Sequence, residues 1–279
     1  MEILHYPNSQ AYVFPNADSD KLIIVLEGGG WESALGIKKK NKWIAVGLAK
    51  LLLMELSDSY TFLVPEKLKR QPGLDYEKDM DDRAHYTAEN LIACYSESIN
   101  SYLGDHEFSS VVIVGGSEGA LIMPLVYEKL EKKDKVSAMV AYAFGGLSYY
   151  ESLKIRSTRA GISSEDADII NDILATFSLE KTEFPDSFEE DYYGITHRYF
   201  NSFYHIRPFD YYQNINIPIL FLHGIYDSTI AVESTFYVQD NLPEKPFEYI
   251  FFLWNHNPST HAEHIHFQKK TAGWILKQP

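Results

Sequence analysis

Residues 111–120 constrain the fold of this chain more than any other part of its sequence. Val-Val-Ile-Val runs directly into Gly-Gly-Ser-Glu-Gly, and a segment typical of a helix follows through Lys132. A serine between a buried strand and a helix, flanked by glycines, predicts a tight turn with Ser117 in a strained backbone conformation. The Ser117 hydroxyl would then be exposed at the positive end of the helix. A glycine turn capped by serine gives the same pattern, so Ser117 is a candidate nucleophile that needs support elsewhere in the chain.

Short apolar segments alternate with segments of helical pattern along most of the chain. The predicted strands lie at residues 21–26, 60–64, 111–114 and 136–144, from 217 to the loop that carries Asp227, and at 247–253. The predicted helices lie at residues 41–56, 81–103, 120–132 and 231–241, with a closing helix through Trp274 and Ile275. Strands that alternate with helices predict a mostly parallel sheet with helices on both faces.

Residues 148–214 interrupt this alternation, because they contain no apolar run typical of a buried strand. Their pattern predicts helices at 164–177 and 192–204, the second rich in aromatic residues. The aromatic side chains are Tyr192, Tyr193, Tyr199, Phe200, Phe203 and Tyr204. We predict a helical insertion at 148–214 in a core domain made of residues 1–147 and 215–279. Most of the aromatic residues would form the core of the insertion, and two or three would face a substrate.

Composition excludes some classes of protein. The 279 residues include 45% hydrophobic residues, which indicates a folded chain, and the formal net charge of −14 argues against nonspecific binding to nucleic acid or anionic membranes. Cys94 is the only cysteine, so no intramolecular disulfide can form, and its apolar neighbours predict a buried position. Residues 1–14 lack the pattern of a secretory signal and no apolar run suits a membrane span. We therefore expect a cytoplasmic protein, unless a leader has been removed.

A glycine-rich segment, Gly28-Gly29-Gly30, follows the first apolar strand and Glu27. Three glycines after a strand leave backbone N–H groups open and allow a substrate to approach closely. The same segment could instead be a flexible turn.

The order of Ser117, Asp227 and a late histidine resembles that of the α/β-hydrolase family. Asp227 follows the strand Pro-Ile-Leu-Phe-Leu-His-Gly, and the resemblance covers nearly all of residues 21–276, with 148–214 at the usual place of a cap. It implies an α/β-hydrolase fold. Lipases and esterases of this family carry an HGGG-type loop whose amides help to form the oxyanion hole, and here Glu27 replaces the usual histidine.

Four histidines follow the last predicted strand and are candidates for the general base: His256, His261, His264 and His266. His256 lies 29 residues after Asp227 and 18 residues before Trp274. Both spacings suit the family's loop between the last strand and the closing helix, so we favour His256. The others could be polar loop residues. His261, Glu263, His264 and His266 could also bind a metal, although no H-E-x-x-H pattern is present.

The resemblance implies a mechanism that needs no cofactor or metal. Ser117 would attack an acyl group, His256 would act as base, and Asp227 would orient the imidazole. The backbone N–H of Glu118 and that of Gly29 (or Gly30) would bind the oxyanion. The Glu118 side chain would point away from the chemistry, toward neighbouring loops or solvent.

Three functions fit these expectations. The first is hydrolysis of a carboxylic ester of a small molecule. The second is a peptidase for short peptides, in which Glu27 and Glu66 would bind a substrate amine. The third is a binding protein of hydrolase fold whose triad is no longer used, which predicts a misaligned histidine.

Overall fold

The computed structural model describes residues 1–36, 38–39, 42–43, 47–68, 70–71, 74, 76–159, 162–178, 180–181 and 183–279. These residues form ten strands: β1 (Glu2–His5), β2 (Gln10–Phe14), β3 (Lys21–Leu26), β4 (Lys38–Lys39), β5 (Lys42–Trp43), β6 (Thr61–Pro65), β7 (Ser110–Gly116), β8 (Val136–Tyr142), β9 (Ile219–Gly224) and β10 (Phe247–Phe252). Strands β4 and β5 pair only with each other, and the other eight form one sheet.

The same residues form ten α-helices and a short 3-10 helix at Lys133–Lys135. The α-helices are α1 (Leu48–Leu56), α2 (Met80–His85), α3 (Ala88–Asp105), α4 (Glu118–Glu128), α5 (Tyr149–Arg156), α6 (Ser164–Thr176), α7 (His197–Phe203), α8 (Phe209–Tyr212), α9 (Glu233–Asn241) and α10 (His261–Ile275). In the part of the chain that is described, no helix combines the length and the apolar character needed to cross a membrane.

The eight-stranded sheet has the order β1-β2-β6-β3-β7-β8-β9-β10. All neighbouring strands from β6 to β10 along this order are parallel. At one edge, β2 pairs antiparallel with both β1 and β6. Leu26, the last residue of β3, pairs with Gly115, and Gly116 pairs with Tyr142. The register therefore brings the segments after β3, β7 and β8 to the same edge of the sheet.

Alternation along the central strands builds one core on each face of the sheet. Leu22 and Ile24 of β3 pack in one cluster with residues of α3 and α4, whereas Ile23 and Val25 pack in the other with residues of α1 and α10. Strand β7 is buried along its whole length, as expected for an apolar run between two helical layers. The predicted sheet with helices on both faces is confirmed.

Most predicted elements are present, with two differences near the site. The prediction of a single helix at 81–103 is wrong. The helical conformation is interrupted at Tyr86 and Thr87, between α2 and α3, and Thr87 is the N-cap of α3. The helix predicted at 41–56 begins at Leu48; residues 42–43 form β5, and residues 41 and 44–46 lie outside the described part of the chain.

Residues 148–214 contain α5, α6, α7 and α8, and none of their described residues belongs to the sheet. Helix α6 matches the prediction closely. Helix α7 begins later than predicted, at His197, because Tyr193 and Gly194 have positive φ angles of 52° and 86° and Thr196 forms the N-cap. Leu153, Ile170, Ile173, Phe177, Phe200 and Tyr204 form a separate buried cluster in this insertion.

Candidate active site

Ser117 lies in the sharp turn between β7 and α4, with φ 50° and ψ −113°. A positive φ is strained for a residue with a side chain. A Cβ at position 119 would lie 2.1 Å from the carbonyl oxygen of Leu26, and one at position 115 would lie 2.7 Å from the carbonyl oxygen of Gly119. Because backbone fills both places, only glycine fits at positions 115 and 119 of this turn.

Hydrogen bonds join Ser117, His256 and Asp227 in one chain. The Nε2 atom of His256 lies 3.0 Å from the Ser117 Oγ atom, and its Nδ1 atom lies 2.8 Å from the Asp227 Oδ2 atom. Because the carboxylate accepts, Nδ1 carries the hydrogen and Nε2 accepts from the serine hydroxyl. The structure thus brings together the three side chains that we singled out from the sequence. The Asp227 side chain is buried and that of His256 is 15% exposed.

The Asp227 carboxylate has several further donors. Its Oδ1 atom accepts from the amides of Thr229 at 2.7 Å and Ile230 at 2.8 Å, and its Oδ2 atom lies 3.2 Å from His223 Nε2. Burial alone would raise the pKa of Asp227, but hydrogen bonds from His223 and His256 outweigh it and hold the pKa well below its ordinary value. Asp227 therefore remains ionised beside His256.

His223 is a site residue that sequence reasoning missed. It is fully buried in β9, and its Nδ1 atom lies 2.7 Å from the Thr235 hydroxyl, which fixes the ring against Asp227. Its signal was the spacing to Asp227, since both belong to the segment His-Gly-Ile-Tyr-Asp.

Tyr142 and Asn255 position the His256 backbone, and neither was expected from the sequence. The Tyr142 hydroxyl donates to the His256 carbonyl at 2.5 Å, and the His256 amide donates to the Asn255 Oδ1 atom at 2.7 Å. The same Oδ1 atom accepts from the Ser228 amide at 2.7 Å. Asn255 therefore joins the loop after β10 to the loop that carries Asp227.

The other three histidines take different positions. His261 is exposed at the start of α10, the ring of His266 packs edge-on against Phe252, and His264 lines the cavity beside Ser117. The Glu263 carboxylate caps α10 by accepting from the amides of Ser259 and Thr260. Among the residues that are described, no group of three or more His, Cys, Asp or Glu side chains is placed to hold a metal ion.

The glycine-rich segment lies against the turn at Ser117. A Cβ at position 28 would lie 3.5 Å from the Ser117 Cβ, and one at position 29 would lie 3.1 Å from a Glu118 carboxylate oxygen. In the described chain, neither the Gly29 amide nor the Glu118 amide donates to a protein acceptor. Buried Arg70 donates to the carbonyl of Gly30 at 2.8 Å and forms an ion pair with Asp82, which fixes the backbone after the glycines.

The Glu118 side chain points away from Ser117, into the protein rather than to solvent. It is buried and accepts hydrogen bonds from the hydroxyls of Tyr86 at 2.7 Å and Tyr199 at 2.5 Å. Burial first, and the Glu118 charge second, raise the pKa of both tyrosines well above the ordinary value. Since Tyr199 belongs to α7, Glu118 connects the turn directly to the insertion.

The carboxylates of Glu27 and Glu66 already have protein donors. Glu27 accepts from the amides of Leu48 at 2.9 Å and Ala49 at 2.8 Å, at the start of α1. Glu66 accepts from the Tyr12 and Ser33 hydroxyls, both at 2.6 Å, and from two amides. Burial raises the pKa of both carboxyl groups.

A cavity of about 410 Å³ opens beside Ser117 and His256. Its described walls come from residues 27–36, 47–51, 67, 116–117, 142 and 256–267, and include Glu27, Glu32, Lys67 and Phe267. No described wall residue belongs to the insertion at 148–214. The cavity beside Ser117 combines apolar residues with the ionisable residues Glu27, Glu32 and Lys67.

No protein-family model and no curated protein matches the chain. Several solved structures resemble it. Est1E from Butyrivibrio proteoclasticus, in a structure with bound ferulic acid, is 13% identical with a TM-score of 0.63, over 100% of this chain and 99% of that one. An esterase from Pyrococcus furiosus is 15% identical with a TM-score of 0.62, over 100% and 90%.

An acylaminoacyl peptidase from Pyrococcus horikoshii is 13% identical with a TM-score of 0.61, and this chain spans 41% of its length. The parallel strand pairs, the two helical layers and the turn at Ser117 agree with these similarities. The chain has the α/β-hydrolase fold.

Proposed function

We propose that this protein is a serine hydrolase that cleaves a carboxylic ester of a small molecule through an acyl-enzyme on Ser117. One observation carries this proposal: the chain of hydrogen bonds from Ser117 through His256 to Asp227, at 3.0 Å and 2.8 Å. A serine hydroxyl is a poor nucleophile unless a base lies within hydrogen-bond reach, and this arrangement supplies one.

In the proposed reaction, Ser117 Oγ bonds to the ester carbonyl carbon while His256 Nε2 takes the hydroxyl proton. The carbonyl π electrons move to oxygen, and the amides of Glu118 and Gly29 stabilise the resulting oxyanion, each donor being worth about 3 kcal/mol. When the tetrahedral intermediate collapses, the bond to the alcohol oxygen breaks and His256 returns the proton to that oxygen. Water then attacks the acyl-enzyme with the same base, which releases the acid and restores Ser117. Asp227, held ionised, stabilises the imidazolium in both steps.

Two observations favour the ester over the alternatives that the sequence left open. The peptidase hypothesis used Glu27 and Glu66 as amine ligands, and protein donors already occupy both carboxylates. The binding-protein hypothesis predicts a misaligned histidine, whereas His256 lies within hydrogen-bond distance of both partners.

We also propose that residues 148–214 form a cap on the core domain of residues 1–147 and 215–279. The separate aromatic cluster of the insertion supports this division. So does its contact with the turn through Tyr199 and Glu118.

Labelling with a fluorophosphonate probe tests the proposed nucleophile. Ser117→Ala should abolish labelling and ester hydrolysis without changing the circular dichroism spectrum. Ser259→Ala is the matched control, because Ser259 is an exposed serine near His256 outside the hydrogen-bonded chain. Undiminished labelling of the Ser117→Ala protein would refute the assignment.

A further inference from the structure

Three buried carboxylates surround the turn at Ser117, and neutral groups of the protein satisfy each of them. Glu27 accepts from two amides of α1, Glu66 from two hydroxyls and two amides, and Glu118 from two tyrosine hydroxyls. None of the three forms an ion pair with a described cation. A cation in the same region therefore lacks the partner that buried charges normally have.

Lys67 is that cation. Its side chain lines the cavity beside Ser117, and the residue is only 1% exposed. Among the described residues, its Nζ atom contacts the carbonyl oxygen of Gly30 at a long 3.4 Å and has no ion-pair partner. An ammonium group has three hydrogens to donate, so it can donate to a ligand in the cavity.

The electrostatic surroundings agree with this geometry. Burial first, and the nearby Arg70 charge second, lower the pKa of Lys67, while the charges of Glu118, Glu32 and Glu66 act in the opposite direction. A negatively charged ligand group at Nζ would relieve this cost, because an adjacent opposite charge stabilises the ammonium form.

We propose that Lys67 binds a carboxylate of the substrate, so that the enzyme prefers esters whose acyl or alcohol part carries one. This inference rests on the proposed ester hydrolysis, since it names the substrate class of the same site. A monoanion fits better than a phosphate dianion because Glu27 and Glu32 line the same cavity and oppose a second negative charge.

Paired substrates of similar size test this inference. The 4-nitrophenyl monoester of succinic acid is compared with 4-nitrophenyl butyrate for a carboxylate on the acyl part. The butyrate ester of 4-hydroxybenzoate is compared with phenyl butyrate for one on the alcohol part. The wild-type protein should have a higher kcat/KM for the charged member of at least one pair.

Lys67→Met should lower kcat/KM for the preferred charged ester by roughly tenfold to a hundredfold, the effect expected for a hydrogen bond to a charged group. Its kcat/KM for the neutral ester should fall by a smaller factor, because that ester has no carboxylate for Nζ to bind. Glu32→Gln is the matched variant of opposite sign, because it removes a negative charge from the same cavity. It should lower KM for the charged ester by a larger factor than KM for the neutral ester.

Equal losses on charged and neutral esters in Lys67→Met, or no preference in the wild type, would overturn the inference. Should Lys67→Met fail to fold, Lys67→Gln and Glu32→Gln give the same comparison. A binding assay separates this inference from the catalytic proposal. Ser117→Ala should bind succinamate, a monoanion, more tightly than neutral butyramide, as measured by calorimetry, and adding Lys67→Met should remove the difference. If no ester is hydrolysed yet succinamate binds through Lys67, the catalytic proposal fails and the carboxylate site stands. Equal binding of succinamate and butyramide would refute the site.

Discussion

The sheet edge and the insertion both reach the turn at Ser117, but different interactions hold them. At the sheet edge, Ser117, Asp227 and His256 follow strands in fixed register. Hydrogen bonds from Ser117 to His256 and from His256 to the buried Asp227 carboxylate connect them. The insertion is held by aromatic side chains that bury one another, such as Phe177 against Phe200, with ring centroids 5.5 Å apart.

Tyr199 and Arg159 are among the residues of the insertion that contact the core next to the site. Tyr199 donates to Glu118 beside the proposed nucleophile, and Arg159 donates to the Asp227 carbonyl at 2.9 Å. Substitutions at the sheet edge should therefore change turnover strongly, because the hydrogen bonds there are directional. Changes in the insertion should act more weakly, through these contacts.

The largest effect is expected at His256. His256→Ala leaves Ser117 without a base, so turnover of an activated ester should fall by at least about a thousandfold. His261→Ala, His264→Ala and His266→Ala are the controls, since no hydrogen bond to Ser117 or Asp227 is found for those histidines in the described chain, and their turnover should stay within about threefold. If turnover collapsed in His261→Ala and stayed near normal in His256→Ala, His261 would be the general base.

Asp227→Asn should reduce stability as well as turnover, because the carboxylate accepts from two amides and two histidines. Its pKa is lowered on folding, so its stabilisation is fully present above the unfolded value of about 3.9 and is lost as pH falls through the folded value. The loss in free energy of unfolding should be about 2 kcal/mol at pH 7.

Thermal unfolding at several pH values measures this effect. The difference between wild type and Asp227→Asn should shrink as pH falls below about 4. Asp186→Asn removes a partly exposed partner of Arg198 and should change stability by less than about 1 kcal/mol. A difference that grows as pH falls below about 4 would contradict the charged, hydrogen-bonded Asp227.

A smaller effect is expected at Tyr199. Tyr199→Phe removes one donor to the buried Glu118 carboxylate, whose own amide is a proposed oxyanion donor. We expect kcat to fall about tenfold with little change in KM, because the oxyanion forms only in the transition state.

Tyr204→Phe is the matched control for Tyr199→Phe, since the Tyr204 hydroxyl is buried in the same insertion and has no hydrogen-bond partner among the described residues. Its kcat should be unchanged. If KM rises in Tyr199→Phe while kcat is constant, the hydroxyl affects substrate binding rather than the amide position.

The sequence predicted those parts of the site that depend on local backbone geometry. The turn at Ser117 was predictable because a Cβ at position 115 or 119 would collide with backbone, which leaves a visible glycine pattern. The position of His256 followed from its distance to Asp227 and to the closing helix. The strands β3 and β9 followed from their apolar runs, as expected for strands buried on both faces.

Features that depend on long-range contacts were not predictable. Tyr142 and Asn255 support the site through partners distant in sequence, and nothing in their own segments indicates those partners. His223 lies only four residues before Asp227, but its buried contact with Thr235 is not visible in that segment. The antiparallel pair of β1 and β2 gave no pattern that we recognised. The interruption of the helix at Tyr86 was also missed, because the sequence there has a helical pattern. The buried Tyr86 hydroxyl donates to Glu118, which is distant in sequence.

The smallest effect is expected at Arg159, which also belongs to the insertion. Its Nη1 atom donates to the Asp227 carbonyl and its Nη2 atom pairs with Glu233, with the side chain 29% exposed. Partly exposed ion pairs contribute little, so Arg159→Met should lower the free energy of unfolding by less than about 1 kcal/mol and turnover by less than about threefold. Arg156→Met is the control, because Arg156 donates to the neighbouring Thr229 carbonyl without pairing with Glu233. Urea unfolding and ester turnover measure both effects. A tenfold loss of turnover in Arg159→Met, but not in Arg156→Met, would mean that the insertion helps to position Asp227. The expected contrast between strong effects at the sheet edge and weak effects in the insertion would then be wrong.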